Sequence, residues 1–173
     1  MTKLFNRLAA FFIDWYLSTL FCMIPVVIFN SYLAKDLILE NRIDTLPLNL
    51  ATISTLISII LFIVYFCIFP LRNKLYQTPG RKLLNLSLTS SNNHPISFYT
   101  LLIRDFVGIF LLQGVITTSN IYLMSITQMI LQKDVVPYFQ GVYYLILLIS
   151  LFLLLKSKGT ISFHDWLSKT QIQ

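Results

Sequence analysis

The sequence predicts an all-α integral membrane protein, a bundle of four transmembrane helices. Three observations carry this prediction. Hydrophobic residues make up 56% of the 173 positions and charged residues only 12%. A soluble domain of this length must keep its surface wet and has no room to hide so much apolar side chain. Four runs are apolar enough, and at about 20 residues long enough, to cross a ~30 Å hydrocarbon core at ~1.5 Å per residue. Finally, the basic residues gather in alternate segments between those runs, as membrane topology demands.

The first run is Leu8–Phe29, with Asp14 inside it, Arg7 at its mouth and Pro25 as an expected kink. Lys3 and Arg7 resemble the basic start of a secretory signal. Asp14 interrupts the apolar core, however, and no small-x-small cleavage site follows, so the segment is expected to stay as a span. The second run, Leu48–Phe69, has no charge and stops at Pro70. Its Ala51, Thr52, Ser54, Thr55 and Ser58 favour close helix approach. The third, Phe106–Leu123, is the weakest. Gln113, Thr117, Thr118, Ser119 and Asn120 thin its hydrophobicity, and with Gly108 and Gly114 they predict a helix buried among others or lining a wet cavity. The fourth is Val135–Leu155, with Tyr138, Tyr143 and Tyr144 near its start as an interfacial belt.

The segment Leu71–Ile103 is long for a bundle connection and is expected to carry structure of its own. Thr78-Pro79-Gly80 reads as a turn, Lys82–Thr89 alternates like a strand, and Ser90–Pro95 reads as a hairpin tip. Ser97 is placed to cap a helix that leads into the third run. Phe163–Ser168 fits a short amphipathic helix on the membrane surface, with Trp166 among the headgroups. The whole chain, 1–173, reads as one transmembrane domain.

Ten of the thirteen Lys and Arg residues lie in the N-terminus, in the 71–103 loop with Arg104, and in the 156–173 tail. Lys35, Arg42 and Lys133 lie in the other two loops, together with Asp36, Glu40, Asp44 and Asp134. The positive-inside rule therefore predicts cytosolic termini and a cytosolic middle loop. The net charge of +6 then reflects topology and lipid headgroups rather than nucleic acid. Cys22 and Cys67 fall inside apolar runs, where free thiols behave as small hydrophobes and no disulfide is expected.

A carboxylate near the middle of a span costs about 2.5–3.5 kcal/mol to insert on translocon scales. Asp14 is therefore the residue that asks for an explanation. Arg7 stands two turns earlier on the same helix face. One reading is a structural Arg7–Asp14 clasp, with Arg104 as a further base. The other is a cation- or proton-binding cluster that opens to the cytosol, formed by Asp14, Arg7, Arg104, Asp165 and His164. Arg81-Lys82 is expected to meet anionic headgroups, because Gly80-Arg81-Lys82 lacks the second glycine and the Lys-Ser/Thr ending of a phosphate loop. His94, alone in a turn, is expected to be solvated. No nucleophile–base set and no metal-ligand spacing occurs, so neither an enzyme nor a cofactor is expected.

Four stretches then point to a family. Arg7–Asp14, Thr78–Leu86 (TPGRKLLNL), Arg104 and Phe163–Thr170 (FHDWLSKT) resemble, in order and spacing, the RDD family of small bacterial membrane proteins, named for an arginine and two aspartates. The resemblance matches Arg7 and Asp14 to the arginine and first aspartate and Asp165 to the second. Beyond these it carries over only Gly80 and Arg104, with Thr78, Arg81 and Lys82 as the rest of the loop motif, and leaves Asp105 unmatched. It implies a multi-pass protein of the bacterial inner (plasma) membrane. Some members look like ion transporters or sodium/proton antiporters, which implies Na+ or H+ as cargo. Four helices leave little room for a pathway, so a homo-oligomer or a membrane-protein partner is expected. A non-transport scaffold or accessory subunit is the alternative.

Overall fold

In the computed structural model, which describes residues 2–91, 95–112, 114 and 117–173, the chain is mostly helical. Helix α1 is Thr2–Ala34 and runs through Pro25. At ~1.5 Å per residue it extends ~50 Å and overshoots a bilayer core at its ends. Helix α2, Leu48–Leu71, packs along α1. It widens into a π-helical turn at Val64–Ile68, where Phe69 N–H reaches back five residues to the Val64 carbonyl. The pairing of α1 with α2 follows from the small residues foreseen in the second run. Ala51, Ser54, Thr55 and Ser58 recur at helical spacing and are all buried, so the backbones come close.

The expected third span is not one helix. A short helical turn, Phe98–Leu101, runs into a π-helical stretch, Leu102–Leu111, and together they form α4. The chain then breaks and restarts as α5, Thr118–Leu131. Asn120 bridges the two helices. Its side-chain amide donates to the Phe110 carbonyl (2.9 Å) and so ties the end of α4 to the start of α5. The polar residues that weakened this run thus hold two helix ends together. Ser97 caps the start as foreseen, accepting from Thr100 N–H at 3.2 Å. Among the described residues, three helices are long and apolar enough to cross a membrane: Leu4–Ala34, Leu48–Leu71 and Val136–Lys156, the last being α6.

The buried apolar side chains form three clusters among the described residues: one around Leu86, Leu101 and Ile172 at the basic end, one around Phe62, Phe66 and Phe110 midway, and a third at the far end. At the end away from the termini, Val26, Ile43, Leu46, Ala51, Tyr122 and Ile126 pack beneath the 35–47 loop. Asn30 holds that loop by donating to the Glu40 and Arg42 carbonyls. Midway, Ser58 and Ser119 hydroxyls share a 2.7 Å hydrogen bond between α2 and α5.

At the basic end the middle loop is ordered differently from expectation. Thr78-Pro79-Gly80 is not a free turn. It starts a short helix, α3 (Pro79–Leu83), with Pro79 in the first turn, where a missing N–H costs nothing. The strand foreseen in Lys82–Thr89 shortens to β1, Leu88–Ser90. Its partner is the chain's tail, β2 (Thr170–Ile172), paired antiparallel with Leu88 opposite Ile172, so no hairpin forms within the described part of the loop. Of the tip expected at Ser90–Pro95, residues 92–94, His94 included, lie outside the described residues, as does Gln113. The helix expected at Phe163–Ser168 is present as α7, and Trp166 is exposed on it. Cys22 and Cys67 are buried free thiols.

Candidate functional site

The basic end gathers six charged side chains that are all nearly or fully buried: Arg7, Asp14, Arg81, Arg104, Asp105 and Asp165. They come from α1, α3, α4 and α7, so the cluster exists only once the loop and the tail have folded onto α1.

Asp165 is its hub. One carboxylate oxygen accepts from Arg104 Nε (2.9 Å) and lies 2.8 Å from Arg104 Nη2. The other pairs with Arg7 and accepts from the Ser162 hydroxyl (2.7 Å) and backbone N–H (3.0 Å). Ser162 and Asp165 form a reciprocal capping box at the start of α7, so the acid that neutralises two arginines also ends a helix properly. Burial pushes this carboxyl up, but the Arg104 and Arg7 charges and the Ser162 hydrogen bond outweigh it and hold it well below the usual carboxylate range. His164 behaves oppositely. Burial drives it well below its ordinary value, more than the Asp165 charge restores, so the ring is neutral at pH 7.

Arg104 continues the chain to its neighbour Asp105, Nη1 to Oδ1 at 2.5 Å. Consecutive residues on an α-helix point about 100° apart, yet both side chains here are buried. The wider π-helical turns of α4 help turn both inward, as such turns often do at functional sites. Asp105 also faces Arg81, but loosely, at 3.8 Å. One guanidinium nitrogen of Arg81, Nη1, has no hydrogen-bond partner, and neither has Asp105 Oδ2. Burial and the adjacent Arg104 charge bring Arg81 down to about 10.

Asp14 stands apart from this arrangement. The expected Arg7–Asp14 clasp does not form. Arg7 reaches instead to Asp165, to the Ser162 hydroxyl (2.8 Å) and to the Gly159 carbonyl (3.2 Å). None of the ion pairs among the described residues includes Asp14. Three neutral donors hold its carboxylate: Tyr65 hydroxyl (2.8 Å), Thr78 hydroxyl (2.5 Å) and Gly80 N–H (2.8 Å). Tyr65 arrives from the π-helical turn of α2, and Thr78 and Gly80 open α3. The glycine is required by contact. A Cβ at position 80 would strike the Ala10 carbonyl and stand 2.9 Å from Asp14 Cγ.

Of the residues singled out in the sequence, Arg7, Arg104, Asp165 and His164 therefore come together. Asp14 with Thr78 and Gly80 forms an adjoining subsite. Arg81 and Lys82 part company, Arg81 turning inward and Lys82 outward to solvent. Tyr65, Asp105 and Ser162 were not singled out as site residues. The Ser162-x-x-Asp165 spacing is a capping-box signal that could have pointed to Ser162. A tyrosine among apolar residues gave no such sign. A cavity of about 160 Å³ opens beside the cluster, with Arg7, Asp14, Arg81, Arg104 and His164 among the residues that line it.

No curated protein and no solved structure matches the chain. The model of the RDD family matches residues 1–169. That span contains every residue of the buried charge cluster, and the chain belongs to the RDD family of membrane proteins.

Proposed function

We propose that this protein works in transport, as a carrier or as a subunit of one, with Asp14 as the group that takes up a proton or a sodium-sized cation. One observation carries the reading. Asp14 is a carboxylate inside an apolar helix, held only by neutral donors, whereas Asp105 and Asp165 each have an arginine within 3 Å. Among the described residues no guanidinium pairs directly with Asp14, so its carboxylate is the acid of the cluster that a mobile cation or proton can take as a partner. The arginine–aspartate chain beside it serves as a rigid frame. In the topology that goes with this reading, the broken α4–α5 segment forms the third of four passes and both termini face the cytosol. The location is the bacterial plasma membrane, and the small bundle works as an oligomer or beside a partner.

The test is gradient dissipation in liposomes, sodium and pH measured separately, with wild type and Asp14→Asn. Wild type should dissipate one of the gradients and the variant neither, at equal insertion and equal dispersity. Equal flux through both proteins overturns the mechanism.

A scaffold or accessory role is the second reading. The Arg7–Asp165 contact and the β1–β2 pairing favour it, because they lock the loop and tail into a fixed face. Copurification of a stoichiometric partner, with no flux in wild type, decides for it.

A further inference from the structure

The cavity has a second character that the cation reading does not use. The arginine cluster lines part of it, but its walls are mostly apolar: Leu8, Phe11 and Trp15 of α1 and Leu147, Leu151 and Leu154 of α6 line it, with Ser18, Thr117 and Ser150 as polar exceptions. Phe11, Trp15 and Leu151 are well exposed, so the slot opens sideways between the two helices, toward the region that lipid chains fill. At about 160 Å³ it is roughly ten times what one water needs (~10–15 Å³). Arg81 lines it, is 5% exposed, and keeps one guanidinium nitrogen without a hydrogen-bond partner. A buried donor in that condition costs about 1–3 kcal/mol, more when it is charged. Something that brings oxygen acceptors removes that cost.

We propose that the slot between α1 and α6 is a binding site for a membrane lipid with an anionic phosphodiester headgroup, whose oxygens meet Arg81 while its chains lie along Phe11, Trp15 and Leu151. A phosphodiester presents the acceptors that a guanidinium matches. A second copy of this chain is the other candidate occupant, and it fits poorly. The three helices apolar enough to span carry one acid between them, Asp14, and it is already buried, so no helix of another copy can offer Arg81 a carboxylate.

The test is native mass spectrometry of the full chain released from detergent, titrated with phosphatidylglycerol, phosphatidylethanolamine or inorganic phosphate. Wild type should retain phosphatidylglycerol about tenfold better than phosphatidylethanolamine, a difference of ~1.4 kcal/mol, and should not retain phosphate alone. Arg81→Gln should remove the preference, and Lys82→Gln, at an exposed neighbour, should keep it. Leu151→Trp leaves the arginines untouched and should lower retention of both lipids by narrowing the slot. Asp14→Asn should keep or strengthen the preference, so this proposal and the transport reading fail separately. Equal retention of the two lipids, equal loss in Arg81→Gln and Lys82→Gln, phosphate bound as tightly as lipid, or a lipid-free dimer protected at Leu151 would each overturn it.

Discussion

Replacing Asp165 by asparagine keeps the shape of the hub and removes its charge. Arg7 and Arg104 side chains are 8% and 1% exposed, too deep for water to take over as partner. Breaking a buried pair by removing one member costs about 3–5 kcal/mol, because the other charge is stranded. Here Asp105 still covers part of Arg104, and the asparagine oxygen still accepts one hydrogen bond, so the low end applies, ~3 kcal/mol. At about 2–4 °C per kcal/mol for a chain of this size, the melting point should fall by roughly 6–12 °C. The buried thiols Cys22 and Cys67 provide the assay, since a thiol-reactive dye reports them only as the bundle opens. Asp44→Asn, which breaks the exposed Arg42–Asp44 pair at the other end, should leave the melting point unchanged. Arg7→Met combined with Asp165→Asn should cost less than the two single changes added together, since they share one contact. Were Asp165→Asn to melt with Asp44→Asn, the hub would not be holding the tail.

The other predictions are local. Gly80→Ala should destabilise by about 1–3 kcal/mol, because the added methyl meets the Ala10 backbone carbonyl and neither atom can yield. Adding Ala10→Gly should not rescue it, which thermal melts of the pair will check. Stability should fall in acid in two stages. His164 is held neutral in the fold, so below about pH 6.5 the unfolded chain binds the extra proton and stability drops. Asp165 has a depressed folded value, so its contribution is intact above about pH 3.9 and is lost only as pH falls further, through that value. His164→Asn should flatten the melting point between pH 7 and 5 and leave the lower stage in place. Parallel pH curves for wild type and His164→Asn would remove histidine from the account.

The membrane class and the spanning runs around α1, α2 and α6 were legible because they rest on composition and length, which need no partner. The short elements Ser97-capped α4 and Phe163–Ser168 were legible for the same reason, since a cap and a periodic face are local. What sequence could not supply was pairing across the chain. Arg7 and Asp14 lie two turns apart on one helix, the arrangement that makes a clasp plausible, yet Arg7 turns to a residue 158 positions away. The capping box at Ser162 accounts for the choice, because it holds the Asp165 carboxylate where Arg7 reaches it. The strand foreseen in the loop failed as a hairpin for a like reason, its edge being taken by Thr170–Ile172. The third run misled because polarity within an apolar stretch was read as a face of one helix, when Asn120 uses it to join two.

Charge balance links the two proposals and makes the link measurable. Arg7, Arg81 and Arg104 are set against Asp105, Asp165 and Asp14, so the cluster is neutral when all six are ionised and His164 is not. Arg81 and Arg104 both sense the Asp14 charge. A cation that occupies the Asp14 subsite therefore leaves the slot one positive charge richer, and an anionic headgroup at Arg81 offsets that charge. Each occupant should favour the other, and by the same factor in both directions. Raising sodium at constant ionic strength, with potassium as the balancing ion, should tighten phosphatidylglycerol binding to wild type by about fivefold, near ~1 kcal/mol of coupling. In Asp14→Asn the slot already has its extra charge, so sodium should change nothing. If lipid affinity in wild type is indifferent to sodium and to pH, the acid and the slot are neighbours without being partners, and the charges at this end of the bundle serve its architecture alone.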